Sequence, residues 1–417
     1  MNIAKKVLAT ALAVTLTLSF SGCGLTDSGV EHRDVDWEPV ATLKLALRAG
    51  TYADVIEKSL EKFEEETHIY CEVYKLSEED LHKGVRDDAS NASGKYDLCM
   101  VDGSWMAEYT AENVLLNLSR YGYSLDADII EATKVVCYHD GDVYLAPYYG
   151  NVTILLYNKR LAEAAGFEGG DIDSLDDIYE ICSYAKEHRN MGFLYRGDTP
   201  NNIVVDFLPF LLSYGGWVVD ENNNPTVDTP EFHEALEYYL KLIDTGKADT
   251  KDNLILAIVN QAAAMGVGWP GWYTPERNGQ ADYAAITGKV SKDSKAYNAN
   301  VYGVWTVGVP ANSSHKEEAV KLLTYIMDKD VQKETVKYGG VPCRYSSLKD
   351  PKILEEFPQY APVCKALEGG VYRPIMKEWP EVYTILGNKM DLILKGEKSI
   401  DDGLKEAQKE LEEALKK

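Results

Sequence analysis

The sequence lacks the short motifs that mark most nucleotide-binding proteins, hydrolases and metalloenzymes. No GxxxxGK[ST], HExxH or GxSxG motif occurs in its 417 residues, and its seven histidines are scattered without the spacing of metal ligands. The segment Gly266–Gly271 (GVGWPG) matches GxGxxG, but the Trp-Pro pair in its middle prevents the helix start that a dinucleotide-binding loop requires. We therefore expect no nucleotide site, no metal, no cofactor and no enzymatic activity on this chain.

Positive charge is also in short supply. The chain carries 43 Lys and Arg residues against 67 Asp and Glu residues, which gives a net charge of −24. Nucleic acid and anionic membrane surfaces would be repelled, so neither is expected as a direct partner. The hydrophobic content of 45% supports sizeable cores, and the length suffices for two ordinary domains.

Cysteine is sparse and lacks CxxC spacing, which excludes the usual metal-binding and redox motifs. Several cysteines lie inside apolar runs such as HIYCEVY, YDLCMV and IYEICSYA, where a buried free thiol is the simplest interpretation. A disulfide stays open for an exported protein, with Cys343 and Cys364 as the least implausible pair. Apart from Cys23, the cysteines are Cys71, Cys99, Cys137, Cys182, Cys343 and Cys364.

Long apolar runs are absent except near the N-terminus. Lys5 and Lys6 precede VLATALAVTLTLSF, an uncharged run of about 14 residues, whereas a bilayer core needs roughly 20. Residues 1–22 therefore read as a signal peptide. The segment Ser21-Gly22-Cys23 resembles a lipobox, although Phe20 stands where lipoboxes usually carry Leu. We expect a lipid on Cys23; the alternative is a secreted protein with an incidental cysteine there.

After Cys23 the sequence alternates between strand-like and helix-like segments. Residues 23–39 are polar and acidic and read as a flexible tether. ATLKLAL and IYCEVYKL read as strands on either side of TYADVIEKSLEKFEEET, whose apolar residues recur at helical spacing. The same pattern recurs through the strand YDLCMVD and the helix WMAEYTAENVLLNL. These βαβ units predict a parallel sheet covered by helices.

Three segments predict passages of the chain between two lobes. The first is Pro147–Asn151, the second is NVYGVWTVGVP, and the third lies near Val341–Ser346. The expected division is an N-terminal lobe of residues 40–148 and 302–342 and a C-terminal lobe of residues 149–301 and 343–417.

Five sequence blocks match one family in its order. They are LYNKRLAEAAGF, LSYGGWVVDENNNPTVDTPEFHEALEYYLKLIDTGKA, NQAAAMGVGWPGW, VGVPANSSHKEEAVKLLTYIMDKDVQKE and YGGVPCRYSSLKD. From about Leu43 onward the chain resembles the extracellular solute-binding lipoproteins of ABC importers, in the branch that binds sugars and oligosaccharides. The resemblance implies an α/β fold of the periplasmic-binding-protein type (type II). Each lobe would hold a mainly parallel sheet flanked by helices, with hinge segments between the lobes and ligand in the cleft.

The resemblance also implies partners and a location. The chain would capture a carbohydrate, most simply an oligosaccharide, and deliver it to the membrane subunits of a permease. The ATPase would be a separate chain, since no P-loop is present here. A monomer held by the lipid on Cys23 would lie on the extracellular face of the cell membrane, or in the periplasm of a host with an outer membrane.

Aromatic residues in Gly- and Pro-rich segments are the first candidates for ligand binding, because sugars present apolar faces between polar hydroxyls. The sequence holds 28 Tyr and 7 Trp. Trp269 and Trp272 in MGVGWPGWY, Trp305 at the second passage, and Tyr149 with Asn151 at the first passage are the strongest of these. Core packing is the alternative for each Trp, and a hinge role is the alternative for Tyr149 and Asn151.

A second group of candidates follows from strand ends and loops. Asp102 and Trp105 in VDGSW follow the carboxyl end of a strand, where open α/β sheets bind ligands, although a helix N-cap explains Asp102 nearly as well. Tyr52, Arg373 and Trp379 are weaker candidates in GTYAD and YRPIMKEW, with packing or solvent exposure as the alternative.

Two rival functions stay open at this stage. An exported glycoside-processing enzyme would also need aromatics and carboxylates in a cleft. The same fold could instead bind a polyamine or a metal chelate, but only Asp102 is placed for a cation site.

Overall fold

The protein is described by a computed structural model that covers residues 35–275 and 279–416. The predicted signal peptide, Cys23 and the first part of the tether lie outside the described residues and stay predictions. Within the described ranges, no helix combines the length and the apolar character needed to cross a membrane.

Strands and helices alternate along most of the described chain. The strands are β1 (Ala41–Arg48), β2 (Ile69–Leu76), β3 (Leu98–Asp102), β4 (Tyr138–His139), β5 (Asp142–Val143), β6 (Ala146–Tyr149), β7 (Ile154–Asn158), β8 (Met191–Arg196), β9 (Lys247–Asp249), β10 (Ala263–Gly268), β11 (Ala281–Ala284), β12 (Asn300–Tyr302), β13 (Trp305–Gly308) and β14 (Gly370–Tyr372). The α-helices are α1 (Thr51–Thr67), α2 (Glu78–Ala89), α3 (Met106–Ala111), α4 (Lys159–Ala164), α5 (Leu175–Glu187), α6 (Pro200–Ser213), α7 (Pro230–Ile243), α8 (Lys251–Val259), α9 (Lys316–Ile326), α10 (Lys329–Thr335), α11 (Tyr345–Leu348), α12 (Pro351–Glu356), α13 (Tyr360–Glu368), α14 (Trp379–Leu394) and α15 (Ile400–Leu415). Short 3₁₀ segments occupy Gly103–Trp105, Leu118–Tyr121, Glu131–Cys137, Glu168–Gly170 and Val336–Tyr338.

The first lobe is built on a five-stranded sheet in the order β2-β1-β3-β13-β6. Strand β1 pairs in parallel with β2 and β3, as the predicted βαβ units require. Helix α1 covers this sheet because Val55, Ile56, Leu60 and Phe63 recur at helical spacing and are all buried. The βαβ prediction for this part of the chain is confirmed.

The second lobe is built on another five-stranded sheet, in the order β11-β7-β10-β8-β9. Helix α6 packs beside this sheet and is apolar nearly all round, so every residue from Ile203 to Ser213 is buried. It is covered in turn by α7 and α14, and α15 packs on α14. The C-terminal helices therefore complete the core of this lobe.

The two-lobed α/β architecture is confirmed, but the sheets are mixed rather than mainly parallel. In the first sheet β13 runs antiparallel to both β3 and β6. In the second sheet β7 runs antiparallel to both β10 and β11. Strands β6, β7 and β13 adjoin the passages between the lobes, so their direction is set by how the chain enters or leaves a lobe.

The first two predicted passages run side by side between the two sheets. Gly150 to Thr153 connect β6 to β7, and Gly303 with Val304 connects β12 to β13. The Thr153 amide donates to the Val301 carbonyl at 2.8 Å, and the Gly303 amide donates to the Asn151 carbonyl at 2.9 Å. Paired backbone thus holds the lobes together at this edge.

The segment of the third predicted passage lies beside the first. The Gly150 amide donates to the Val341 carbonyl at 2.6 Å. Further along the chain, β14 pairs in parallel with β12, and residues from Met376 onward pack in the core of the second lobe. The third passage near Val341–Ser346 and the lobe boundaries stay predictions.

The cysteines of the described residues form no disulfide. Cys343 and Cys364, the least implausible pair, are both free thiols, as are the other four. All six are buried, so the interpretation as buried thiols is confirmed.

We expect the ion pair between Arg196 and Asp206 to stabilise the second lobe far more than a surface pair does. Asp206 is fully buried and accepts hydrogen bonds from the Arg196 backbone amide at 2.8 Å and from its Nε at 3.1 Å. Asp206→Asn removes the charge that pairs with a buried guanidinium, so we expect the free energy of unfolding to fall by about 3–5 kcal/mol. Asp244→Asn breaks an exposed pair with Lys186 and should cost less than about 1 kcal/mol. Urea unfolding of both variants measures the difference, and equal losses would contradict it.

Candidate functional site

A cleft of about 560 Å³ lies between the two lobes. Its size is within the range of small-molecule binding sites in proteins, roughly 300–1,000 Å³. Its walls come from the starts of α2, α6 and α14 and from the turn after β3. The lining residues are Glu78, Glu79, His82, Ser104, Trp105, Glu108, Thr199–Asn202, Arg373, Met376, Lys377, Trp379, Pro380, Tyr383 and Thr384.

The first-lobe wall places Trp105 in the cleft on a rigid support. The ring of His82 stacks against Trp105, with centroids 4.5 Å apart and an angle of 28° between the ring planes. One carboxylate oxygen of Glu108 contacts His82 Nε2, and the other pairs with Arg86 Nη1 at 2.7 Å. Because Glu108 holds Nε2 of His82 and the imidazole ring stacks on Trp105, the half-buried indole ring is supported in one orientation.

Asp102 joins the first-lobe wall to the segment after β14. Its Oδ1 accepts hydrogen bonds from the Ser104 backbone amide at 2.9 Å and from Ser104 Oγ at 2.7 Å, which caps the short 3₁₀ turn that carries Trp105. Arg373 Nη2 donates to both carboxylate oxygens at 2.8 Å. Asp102 and Arg373 are both buried, so their charges neutralise each other at the base of the cleft.

Glu78 lines the cleft without a direct salt-bridge partner among the described residues. It begins α2, where Ser77 Oγ accepts a hydrogen bond from the Asp80 amide at 3.0 Å. Removal from water between the two walls raises the pKa of Glu78 above its ordinary value, and the Asp102 carboxylate raises it further. Arg373 lowers this pKa in part. The side chain is nevertheless exposed to the cleft, where a ligand could reach it.

The second-lobe wall is formed by two helix starts. Thr199 Oγ1 accepts a hydrogen bond from the Asn202 amide at 3.2 Å and caps α6, which leaves Asn201 against the cleft. Asn201 Oδ1 is buried and has no hydrogen-bond partner within the described part of the chain. Trp379 and Tyr383 contribute rings at the start of α14, although Trp379 is only 2% exposed.

Several predicted site residues lie behind the cleft, at the passages between the lobes. Tyr52 contacts Tyr149 edge to face at 4.8 Å and Trp305 at 5.8 Å, and Trp305 contacts Trp105 edge to face at 5.5 Å. Tyr149 is fully buried, and its hydroxyl donates to the Gly339 carbonyl at 2.8 Å. Burial raises the pKa of Tyr52 to about 12. These rings form a continuous support for Trp105 rather than an open surface.

The remaining members of that group are also packed against protein. Asn151 is 5% exposed, and its Oδ1 has no partner among the described residues. Trp269 is 8% exposed, and a Cβ on Gly303 would lie only 2.9 Å from its ring carbons. Trp272 is half-buried and carries the Arg196 guanidinium 5.1 Å from its ring centre. Within the described ranges, these residues border the passages and not the 560 Å³ space.

Of the ten residues predicted to bind ligand, three line the cleft directly: Trp105, Arg373 and Trp379. Asp102 does not line the cleft itself, but it accepts hydrogen bonds from Arg373, which does. The other six stay predictions for a ligand that extends deeper between the lobes. Sequence reasoning missed Glu78, Glu79, His82, Asn201 and Tyr383. The capping residues Ser77 and Thr199 were the available signal, because they mark helix starts and parallel strands deliver helix starts to one edge of a sheet.

The described residues hold no group of three or more His, Cys, Asp or Glu side chains placed to bind a metal ion. What the cleft offers is aromatic rings, amides and carboxylates, together with one guanidinium. This combination suits noncovalent binding of a polar organic molecule.

Comparison with curated sequences gives distant relatives of nearly full length. The chain is 21% identical over 371 residues to a probable amino-acid ABC transporter periplasmic-binding protein, y4oP, of Sinorhizobium fredii, which covers 85% of each chain.

Comparison with solved structures gives the same architecture. The maltose-bound protein MalE3 of T. maritima superposes with a TM-score of 0.77 at 22% identity, covering 89% of this chain and 99% of the other. A solute-binding protein of Agrobacterium radiobacter in complex with ribitol superposes with a TM-score of 0.76 at 23% identity, covering 90% and 99%. The two-lobed fold of periplasmic binding proteins is therefore confirmed.

The family model of bacterial extracellular solute-binding proteins matches residues 37–333. This range contains both central sheets, the first-lobe wall of the cleft and the start of α6. On this match, and in agreement with the resemblance seen in its sequence, the chain belongs to the family of bacterial extracellular solute-binding proteins.

Proposed function

We propose that the protein captures a carbohydrate in the cleft between its lobes and delivers it to the membrane subunits of an ABC permease. The observation that carries this proposal is a cleft of about 560 Å³ that combines aromatic rings with hydrogen-bonding side chains from both lobes. Sugars need such a combination because their hydroxyls surround apolar faces. The related structures with maltose and ribitol support this ligand class, although another relative carries an amino-acid transport name.

Closure of the lobes is the capture step. The lobes meet through short passages at one edge, and the cleft residues lie on the ends of rigid helices in both lobes. A rotation about the passages would bring the start of α6 toward Trp105 and the start of α2, and a bound ligand would stabilise that closed arrangement.

The proposal contains no chemical step. Hydrolysis of a glycoside needs a carboxylic acid and a second, free carboxylate flanking the reacting bond. Asp102 is held by Arg373, and Glu108 is held by His82 and Arg86. The unpaired lining carboxylates, Glu78 and Glu79, both lie in the first turn of α2 and so share one wall rather than flanking a bond from two sides. This arrangement favours binding and transport over a glycoside-processing enzyme.

Attachment and assembly complete the proposal. A lipid on Cys23 would hold the chain beside its permease on the outer face of the cell membrane, and the polar residues up to about 39 would let the lobes reach it. The protein would act as a monomer and rely on a separate ATPase chain.

A panel of sugars, sugar alcohols and oligosaccharides tests the ligand class by thermal unfolding. A ligand at about 100 times its dissociation constant stabilises the folded protein by roughly 2.7 kcal/mol, so a true ligand should raise the melting temperature clearly. Amino acids form the comparison set. Stabilisation by amino acids alone would reject a carbohydrate as the ligand.

Trp105 and Trp269 should respond oppositely to truncation. Trp105 faces the cleft, so Trp105→Ala should weaken binding of a panel ligand by about 30- to 1000-fold, as central aromatic contacts do. Trp269 is packed against the Gly303 backbone, so Trp269→Ala should cost about 3–5 kcal/mol of stability. Calorimetric titration and urea unfolding of both variants give the two readouts. Normal affinity in Trp105→Ala would remove it from the site.

The attachment can be tested by detergent partitioning of cells that produce the protein. Cys23→Ala removes the thiol that takes the lipid, so this variant should leave the detergent phase. Ser21→Ala keeps a small residue near the cut and should behave as the wild type does. Wild-type protein in the aqueous phase would show that Ser21-Gly22-Cys23 does not act as a lipobox.

A further inference from the structure

We propose that the ligand of this cleft carries a protonated amine, as an amino sugar does, and that Glu78 selects for that charge. The inference rests on the proposed function, because it names a subclass of carbohydrate for the same cleft. It follows from a count of the hydrogen-bond donors, acceptors and charges that line the cleft and have no partner in the protein.

The unmatched polar groups of the cleft include three acceptor side chains and one donor, the buried Nε1 of Trp379. Glu78 and Glu79 line the first-lobe wall, and neither forms a salt bridge within residues 35–275 and 279–416. Asn201 contributes an Oδ1 atom on the opposite wall that is buried without a partner in the same ranges. A ligand that satisfies these atoms must bring hydrogen-bond donors from two sides.

Apart from Trp379 Nε1, several donors around the cleft are used within the protein. Arg373 Nη2 is committed to Asp102, with 2.8 Å to each carboxylate oxygen. At the start of α6, the Asn202 amide donates to Thr199 Oγ1 at 3.2 Å. At the start of α14, the Trp379 amide donates at 3.1 Å to a carbonyl of the preceding turn. The helix starts therefore offer few free amides to an anionic ligand.

The charges show the same imbalance. Glu108 is compensated by Arg86, whereas Glu78 and Glu79 have no direct salt-bridge partner among the described residues. Lys377 is the remaining cation of the lining, but its side chain is 72% exposed and lies 3.5 Å from a glutamate on the next residue. A cleft with uncompensated carboxylates attracts a cationic ligand and raises its local concentration.

Two further cations lie near Glu78. Arg196 pairs with the buried Asp206. Arg48 Nη1 donates to its neighbouring Ala49 carbonyl at 3.3 Å, and its buried Nε has no partner among the described residues. Their charges act on Glu78 at longer range without forming a salt bridge to it. Even with these charges, removal from water and the Asp102 carboxylate raise the pKa of Glu78, and a cationic ligand would lower it again.

An ammonium group fits this environment better than a hydroxyl does. It presents three donors and no acceptor, so it can satisfy Glu78 and Asn201 without leaving a lone pair unmatched. The rings of Trp105 and Tyr383 line the same space. Removal from water, and then the Glu78 charge, raise the pKa of the Tyr383 hydroxyl. Aromatic rings attract cations as well as the apolar faces of sugars.

Matched pairs of saccharides test the inference by calorimetric titration at pH 6.5. Each pair has the same skeleton and differs by an amine in place of one hydroxyl on every sugar ring: glucosamine and glucose, galactosamine and galactose, and the β-1,4 disaccharide of glucosamine and cellobiose. We expect the aminated member of a binding pair to bind at least about 10-fold more tightly. Spermidine is the comparison for an amine without a sugar ring.

Glu78→Gln keeps the shape of the side chain and removes its charge. This variant should lose about 10- to 100-fold in affinity for the aminated ligand and less than about threefold for its hydroxyl partner. Glu381→Gln is the matched control, since Glu381 lies in the first turn of α14, is exposed and does not line the cleft. The control should keep the wild-type preference, and the melting temperatures of both ligand-free variants check that they fold.

The outcomes separate this inference from the proposed function. Equal or tighter binding of the hydroxyl members, or a preference that survives in Glu78→Gln, would overturn the inference and leave carbohydrate binding in place. Binding of spermidine without any saccharide would support the amine and reject carbohydrate as the ligand class. Binding of no member of the panel would reject both.

Discussion

The backbone pairing between neighbouring passages is the constraint on which the rest of this structure depends. The amide of Gly150 donates to the Val341 carbonyl at 2.6 Å, and the amides of Thr153 and Gly303 bond carbonyls of the adjacent passage. Buried amides outside regular helices and sheets must find such partners. The backbone at Gly150 lies so close to its neighbours that a Cβ there would be 2.8 Å from a Leu367 methyl carbon and 3.2 Å from the Val341 carbonyl oxygen. The lobes are therefore joined along one edge, and the cleft opens on the other.

Aromatic packing carries this constraint from the passages to the wall of the cleft. Tyr149 is anchored by its hydroxyl bond to Gly339, and Tyr52, Trp305 and Trp105 follow in edge-to-face or tilted contacts of 4.8–5.8 Å. Such contacts add to the stability of buried rings and fix their mutual angles. Of these rings, Trp105 alone lines the cleft, and it is positioned by rings that do not line it.

The charges of the cleft divide into pairs that hold the walls and carboxylates without a salt-bridge partner that face the open space. Asp102 with Arg373 and Glu108 with Arg86 belong to the first kind, and Glu78 belongs to the second. A protein with a net charge of −24 would repel an anionic solute at long range, so the acidic cleft and the acidic surface favour the same kind of ligand.

Local features of the sequence determined the secondary structure, the family and part of the site. The spacing of Val55, Ile56, Leu60 and Phe63 is enough to predict α1, because helical periodicity needs only neighbouring residues. Trp105 was found because strand ends bind ligands in open α/β sheets, and that rule needs only the end of β3. The tertiary structure alone decided which aromatic residues line the cleft and which strands run antiparallel. Asp102 meets Arg373 across 271 positions of sequence, and Trp269 is buried by the backbone of Gly303 from another passage. Burial and pairing of this kind depend on contacts between segments that no local pattern relates to one another, so they exist only once the lobes have folded together.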